Sequence, residues 1–396
     1  MEDRSELSRR DFCKTATLGI AGGAMASSVL SACTSESPSS AGPMRYRVLG
    51  RTGLRVSEIG FGGYPVDDPD VLHYAIDHGI NYVDTAPSYR GGASEETIGK
   101  VMKTRRHEVV LATKWRPYSK TSREEMLESL NASLKRLQTD HVDLIQVHQV
   151  GRASGGESIE RLQNPELFEA FEIAKRQGKA RFLGVTGHDG DLMEVMNYAL
   201  DTDRFDTILC RYSFLDYPQQ QELFRRAKAQ NIGVIAMKTL AGAKGENLKE
   251  FRTGKTTVKQ AALKWVLSNP DITNLIISMR NIDQIKEYMA ASGSALTRED
   301  HRLLEKYAER YSREYCRMCN QCEPACPQGV KIADILRYSI YFHHYGEQKQ
   351  AMLAYAELPI SGQAGSCLNC PAPCEALCPY GIPVRRELLK AHTALA

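Results

Sequence analysis

The sequence predicts an α/β fold: a (β/α)8 TIM barrel followed by a small, α-helical, cysteine-rich module. Three observations lead there. Between residues 58 and 278, short apolar runs of strand type alternate with amphipathic stretches of helical period, and eight such runs occur. Eight strand–helix units in about 250 residues is the size of a closed barrel. An open, doubly wound sheet is the competing architecture, but no G-x-G-x-x-G lies between the first strand and the first helix. Finally, eight of the eleven cysteines stand in two quartets after the last strand.

The chain has 396 residues, enough for one large domain and a smaller one. It is 42% hydrophobic and 25% charged, ordinary for a globular protein. Its formal charge is 51 − 48 = +3, too near balance for a nucleic-acid or membrane-surface binder.

Taken in order, residues 1–33 read as an address. Arg9-Arg10-Asp11-Phe12-Cys13-Lys14 has the form of a twin-arginine export signal. The mildly apolar stretch from Thr15 to Ala32 is too short and weak to span a membrane. Leu30-Ser31-Ala32-Cys33 resembles the lipobox of bacterial lipoproteins, which implies lipidation of Cys33. Residues 34–43 form a Ser/Pro/Gly-rich tether without apolar residues to bury. A disordered tail or a short helix is the alternative. The expectation is export by the twin-arginine route to the cell envelope or periplasm, with membrane contact only through the Cys33 anchor.

The barrel is assigned to residues 44–294. Arg47–Val56 reads as a hairpin around Arg51-Thr52-Gly53. The eight strands are expected at Glu58–Gly62, Asn81–Thr85, Val109–Lys114, Val142–His148, Arg181–Thr186, Thr207–Tyr212, Gly233–Met237 and Asn274–Ser278. Helical segments fall between them, among them Pro69–His78, Ser94–Met102, Arg123–Leu137, Pro165–Arg176, Asp191–Ala199, Gln219–Ala229 and Thr257–Ser268. Gly60-Phe61-Gly62-Gly63 reads as a tight strand end.

Residues 295–396 form the second module. A charged helix, Ala295–Tyr311, leads into Cys316, Cys319, Cys322 and Cys326, spaced C-x2-C-x2-C-x3-C and closed by Pro327. The second quartet, Cys367, Cys370, Cys374 and Cys378, is one residue longer in the middle and is closed by Pro379. Short loops that aim several thiolates at one point suit an iron–sulfur cluster. The first run resembles the bacterial ferredoxin pattern, in which the fourth cysteine serves the other cluster. The resemblance implies two 4Fe–4S clusters, one on Cys316, Cys319, Cys322 and Cys378, the other on Cys367, Cys370, Cys374 and Cys326. Two four-cysteine zinc sites or four disulfides are the alternatives. Helical spacing at Ile332–Phe342 and Gln348–Glu357 points to an α-helical ferredoxin-like module rather than a small βαβ core. The aromatic set Tyr338, Tyr341, Phe342, Tyr345 and Tyr355 is read as packing. Twin-arginine export fits a cluster protein, because that route carries chains already folded and loaded.

Chemistry in a TIM barrel sits at the strand ends. Strand two runs into Asp84-Thr85-Ala86-Pro87-Ser88-Tyr89, strand three ends at Lys114 and strand four at His148. Each residue alone has an ordinary structural explanation. Together they resemble the aldo-keto reductase family, as do Leu49-Gly50-Arg51-Thr52-Gly53-Leu54 and Ser94-Glu95. The resemblance runs from about Arg47 to Ala290 and implies a catalytic tetrad of Asp84, Tyr89, Lys114 and His148. Lys114 is expected to lower the pKa of the Tyr89 phenol, Asp84 to fix the lysine, and His148 to bond a carbonyl oxygen.

The resemblance also implies a nicotinamide nucleotide. Here strand five ends Thr186-Gly187-His188, where Thr186 and His188 stand in place of the family's Ser-Asn, and Leu209–Ser213 contains no glutamine. Arg211, at the end of strand six, could face the site. Ser278, Arg280 and Gln284 occupy the strand-to-helix turn that the family uses for the adenosine phosphate, and Arg280 suits a 2′-phosphate. Lys238 is placed near the pyrophosphate, whereas Lys244 is expected to face water. The resulting expectation is an NADP(H)-linked oxidoreductase acting on an aldehyde, ketone or sugar. Its two clusters would serve electron transfer or structure, the former with a redox partner protein. A non-catalytic barrel acting as scaffold for the clusters is the alternative.

Overall fold

The computed structural model describes residues 44–396, apart from 152–155, 188–189, 216–218, 245–247 and 255. The signal segment 1–33, the tether 34–43, Cys33 and His188 therefore lie outside the described residues. Among the described residues no helix is long and apolar enough to cross a membrane.

The hairpin forms as expected: β1 (Tyr46–Val48) pairs antiparallel with β2 (Arg55–Ser57). Its turn closes on Gly53, whose φ of 67° lies in the left-handed region that glycine tolerates. Fully buried Leu49 and Val56 join the cluster inside the strands and plug the N-terminal end of the barrel. Eight parallel strands follow: β3 (Ile59–Gly62), β4 (Tyr82–Asp84), β5 (Val110–Trp115), β6 (Val142–Val147), β7 (Ala180–Gly187), β8 (Thr207–Arg211), β9 (Gly233–Met237) and β10 (Asn274–Ser278). They close in the order β10-β3-β4-β5-β6-β7-β8-β9. The surrounding helices are α1 (Pro69–Asp77), α2 (Ala93–Arg105), α3 (Arg123–Leu137), α4 (Pro165–Arg176), α5 (Leu192–Thr202), α6 (Gln219–Ala229), α7 (Val258–Leu267) and α8 (Ile282–Met289). Their starts are written in the sequence. Proline opens α1 and α4 behind the capping side chains of Asp68 and Asn164, and α3 and α7 begin with reciprocal capping boxes.

Strand period decides which residues reach the site. Tyr82, Val110, Ala112, Leu144, Leu209, Ile235 and Ile276 fill the barrel interior. Successive side chains alternate faces. The next inward positions toward the C-terminal ends are therefore Asp84, Lys114, Gln146, Arg211, Met237 and Ser278, and the same alternation from partly buried Phe182 leads through Gly184 to Thr186. The paired register sets Lys114 opposite Gln146 and Gln146 opposite Gly184. Gly63 shows why the glycine-rich strand end is tight. Its N–H donates to the Asp84 carbonyl at 2.7 Å, and an added Cβ would stand 2.8 Å from that same oxygen.

The C-terminal segment is helical: α9 (Arg298–Tyr311), α10 (Ile332–His344), α11 (Gln348–Ala356), α12 (Pro373–Ala376) and α13 (Val384–Leu395). The last helix was not anticipated, although Val384, Leu388, Ala391 and Leu395 are buried at helical spacing. They belong to a second core, with Ile332, Ile335, Leu336 and Tyr355, that also encloses Cys316, Cys322, Cys367 and Cys374. The module leans on the barrel mouth. The Tyr307 hydroxyl donates to the Ala241 carbonyl at 3.2 Å, and the Arg317 guanidinium approaches the Leu215 carbonyl at 3.5 Å.

Candidate active site

Asp84, Tyr89, Lys114 and His148 line one cleft of about 1200 Å3, between the C-terminal ends of the strands and helices α10 and α11. Lys114 and Asp84 are both about 1% exposed and form an ion pair. The lysine also donates to the Thr85 carbonyl at 2.7 Å and shares a side-chain hydrogen bond with Tyr89. An ammonium has three donors, so these partners use all of them and fix its direction. Burial works against the Lys114 charge, but Asp84 and Tyr89 outweigh it and hold its pKa above the ordinary lysine value. The other Asp84 oxygen accepts from Gln146 Nε2 at 2.8 Å.

The expected lowering of the Tyr89 pKa is corrected here. Burial pushes the phenol up, Lys114 pulls it down, and burial prevails. Tyr89 is thus held as a neutral phenol, with its oxygen against the lysine. Its ring meets Tyr64 edge-on at 5.3 Å and His148 at 5.7 Å, so the phenol and the imidazole border the same space.

His148 follows the last residue of β6, and its backbone N–H donates to the Trp115 carbonyl at 2.6 Å. Arg161, fully buried, pins this turn. It donates to the carbonyls of Pro117 at 2.6 Å, Gln149 at 2.9 Å and His148 at 2.9 Å. Sequence reasoning missed Arg161, because these acceptors are backbone atoms that the register alone brings together. Arg161→Met removes three charge-assisted bonds and should cost about 2–4 kcal/mol. Urea denaturation followed by tryptophan fluorescence checks this, and a loss under about 1 kcal/mol would contradict it.

The residues expected to hold a nucleotide, apart from undescribed His188, line the same cleft: Thr186, Lys238, Ser278, Arg280 and Gln284. Buried Thr186 accepts the Gln149 N–H at 2.7 Å through its hydroxyl oxygen. Lys238 adopts a φ of 57° and Gln149 one of 53°, left-handed conformations of the kind found at functional sites. Gln284 accepts the Arg280 N–H at 2.8 Å, and the Asn281 side chain caps α8 by accepting the Gln284 N–H at 2.9 Å.

Two expectations fail in this region. Lys244 does not face water: its Nζ is 3.3 Å from Ser278 Oγ and 4.6 Å from the Tyr345 ring centre. Burial, then Arg280, Lys238 and Lys259, pull its pKa down to about 8. Such crowding of cations suits an anionic ligand. The aromatic set is not packing alone either. Tyr355 is buried and bonds His392, but Tyr338, Tyr341 and Tyr345 line the cleft opposite the tetrad.

The cysteines fall into two sets. The Cys316 thiol is pushed up to about 11 by burial, with Cys319 and Cys378 acting on it. Cys322 is pushed up by burial and then by Cys316, Cys319 and Cys378. Cys367 is pushed up to about 11 by burial and then by Cys326, Cys370 and Cys374. Cys326 thus acts on the second quartet and Cys378 on the first. Backbone N–H groups of Met318, Val330 and Ala372 donate to the sulfurs of Cys316, Cys326 and Cys370 at 3.3–3.4 Å. All nine described cysteines are free thiols. Among the described residues, no group of three or more His, Cys, Asp or Glu is drawn together as a single metal ion requires. Arg211 bears on this module, acting on the Cys316 thiol in the sense opposite to burial.

Comparison with known proteins adds a family. The profile of the Aldo/keto reductase family matches residues 64–256. The uncharacterized oxidoreductase YrpG of Bacillus subtilis (strain 168) is 31% identical over an alignment that covers 66% of this chain and 95% of that protein. L-galactose dehydrogenase of Arabidopsis thaliana is 29% identical over 62% of this chain and 87% of its own length. Among solved structures, the aldo-keto reductase from Klebsiella pneumoniae in complex with NADPH superposes with a TM-score of 0.55 at 25% identity, covering 67% of this chain and 95% of its own. The holo form of aldo-keto reductase AKR11C1 from Bacillus halodurans gives 0.55 at 26% identity, covering 66% and 96%.

Proposed function

The chain belongs to the aldo/keto reductase family, and on that premise we propose that it interconverts a small-molecule carbonyl and its alcohol by hydride transfer from NADP(H). The observation that carries this reading is the saturated Lys114. Its three bonds set the phenol of Tyr89, a residue lining the cleft, against the lysine, and burial keeps the phenol's proton on. In the reducing direction Tyr89 gives that proton to the carbonyl oxygen, and His148 donates a second hydrogen bond to the same atom. Lys114 stabilises the phenolate left behind, and Asp84, held by Gln146, keeps the lysine charged and in place. A bound reduced nicotinamide supplies the hydride to the carbonyl carbon. Lys238, Lys244 and Arg280 supply positive charge for its phosphates, and the NADPH bound to the Klebsiella pneumoniae relative supports the choice of nucleotide.

The two cysteine sets are assigned to two 4Fe–4S clusters. The N–H donors on their sulfurs suit thiolates, and the crossed grouping is the one the ferredoxin pattern requires. The module, residues 295–396, would use them for structure or for electrons exchanged with a partner protein. Export through the twin-arginine route and anchoring at Cys33 complete the proposal. A chain working outside the cytoplasm would then carry its nucleotide across already bound.

Anaerobic incubation with NADPH and a panel of aldehydes, ketones and aldoses tests the reading. Nicotinamide absorbance should fall with turnover, in a protein containing two clusters' worth of iron and sulfide. No turnover and no bound nucleotide would leave the barrel as a scaffold.

A further inference from the structure

The turn between α10 and α11 reaches across the cleft and touches the two cations on the far side of the nucleotide region. Glu347, mostly buried, forms an ion pair with Arg280 at the start of α8. Two residues earlier, the Tyr345 ring covers Lys244. Gly346 between them has a φ of 68°, and a Cβ there would meet nothing within 4 Å, so backbone conformation rather than space calls for glycine. The Glu347 N–H donates to the Tyr341 carbonyl at 3.0 Å, which ties the backbone of this turn to the helix lining the catalytic cleft. Arg280 thus already holds an anion, and that anion comes from the C-terminal module rather than the barrel.

We propose that Glu347 is a positioning residue for nucleotide selection: it competes with a ribose 2′-phosphate for Arg280 and so narrows the preference for NADPH over NADH. The inference rests on the nicotinamide reading above and deepens it. A dianionic phosphate entering this corner must take over the guanidinium and also stand near a carboxylate, and like charges in a partly buried place repel. A neutral 2′-hydroxyl carries no charge and meets no such conflict. The competition acts on one nucleotide and leaves the other nearly untouched.

The test is equilibrium binding of NADPH and NADH to the anaerobically purified, cluster-loaded chain, read by the fluorescence of the bound reduced nucleotide. Wild type, Glu347→Gln, Arg280→Met and the double variant are compared. Glu347→Gln should tighten NADPH about 10-fold while NADH changes less than about twofold. Glu347→Asp, whose shorter side chain retracts the carboxylate, should act in the same direction. In the Arg280→Met background the Glu347→Gln gain should vanish, because the two residues act through one contact. Equal changes for both nucleotides, or an NADPH gain that persists without Arg280, would overturn the proposal. If no variant bound either nucleotide, the nicotinamide reading itself would fall, and this inference with it.

Discussion

Tyr89→Phe should lower kcat for carbonyl reduction about 10²–10⁴-fold while nucleotide affinity stays within about twofold. The ring remains, so its edge-on contacts with Tyr64 and His148 are kept, and only the proton donor is lost. The raised pKa of Tyr89 gives this prediction a second arm. In reduction the working form is the phenol, which stays protonated through the neutral range, so the rate should be flat with pH there. In alcohol oxidation the working form is the phenolate, scarce below the raised pKa, so the rate should climb with pH. In Tyr89→Phe that climb should disappear. A loss under about tenfold, or an unchanged pH profile for oxidation, would remove Tyr89 from the chemistry.

Lys114→Met should cost about 3–5 kcal/mol of barrel stability, because it strands a buried carboxylate. Asp84 would keep only the Gln146 amide as a side-chain partner in a place about 1% exposed. Both tryptophans, Trp115 and Trp265, belong to the barrel, so their fluorescence in a urea titration reports this domain. Replacing both members, Asp84→Leu with Lys114→Met, should recover most of the loss, since two apolar side chains leave no uncompensated charge. If the single variant cost under about 1 kcal/mol, the ion pair would not be the buried charge balance described. Activity should fall in both variants, which separates the pair's structural contribution from its effect on Tyr89.

The barrel was legible because strand period and helix caps are local. The alternation through Leu144, Gln146 and His148 and the capping box at Ser122 and Glu125 need no knowledge of distant residues. The strand ends were legible for the same reason, and they place Asp84, Lys114 and His148 at one mouth. Gln146 lies inside an expected strand, but its bond to Asp84 depends on register across three strands. The expected pKa of Tyr89 went the wrong way because spacing shows which charge is near and not how much water is excluded. Lys244, Tyr341, Tyr345 and Glu347 were misread or unremarked for another reason. Their roles depend on how the C-terminal module lies over the barrel, and no local pattern encodes that placement. The last helix, α13, did carry a local signal in Val384, Leu388, Ala391 and Leu395, but the reading of residues 295–396 assigned no element there.

The most direct measurement is a single anaerobic turnover with NADPH deuterated at C4, on each face in turn, and an aldehyde accepted by the enzyme. Hydride transfer at the Tyr89 site predicts one deuterium on the former carbonyl carbon from one face only, with the iron–sulfur absorbance unchanged. Alcohol without deuterium from either face, or nucleotide oxidised while the clusters bleach and no alcohol forms, would contradict it and place the electrons in the C-terminal module instead.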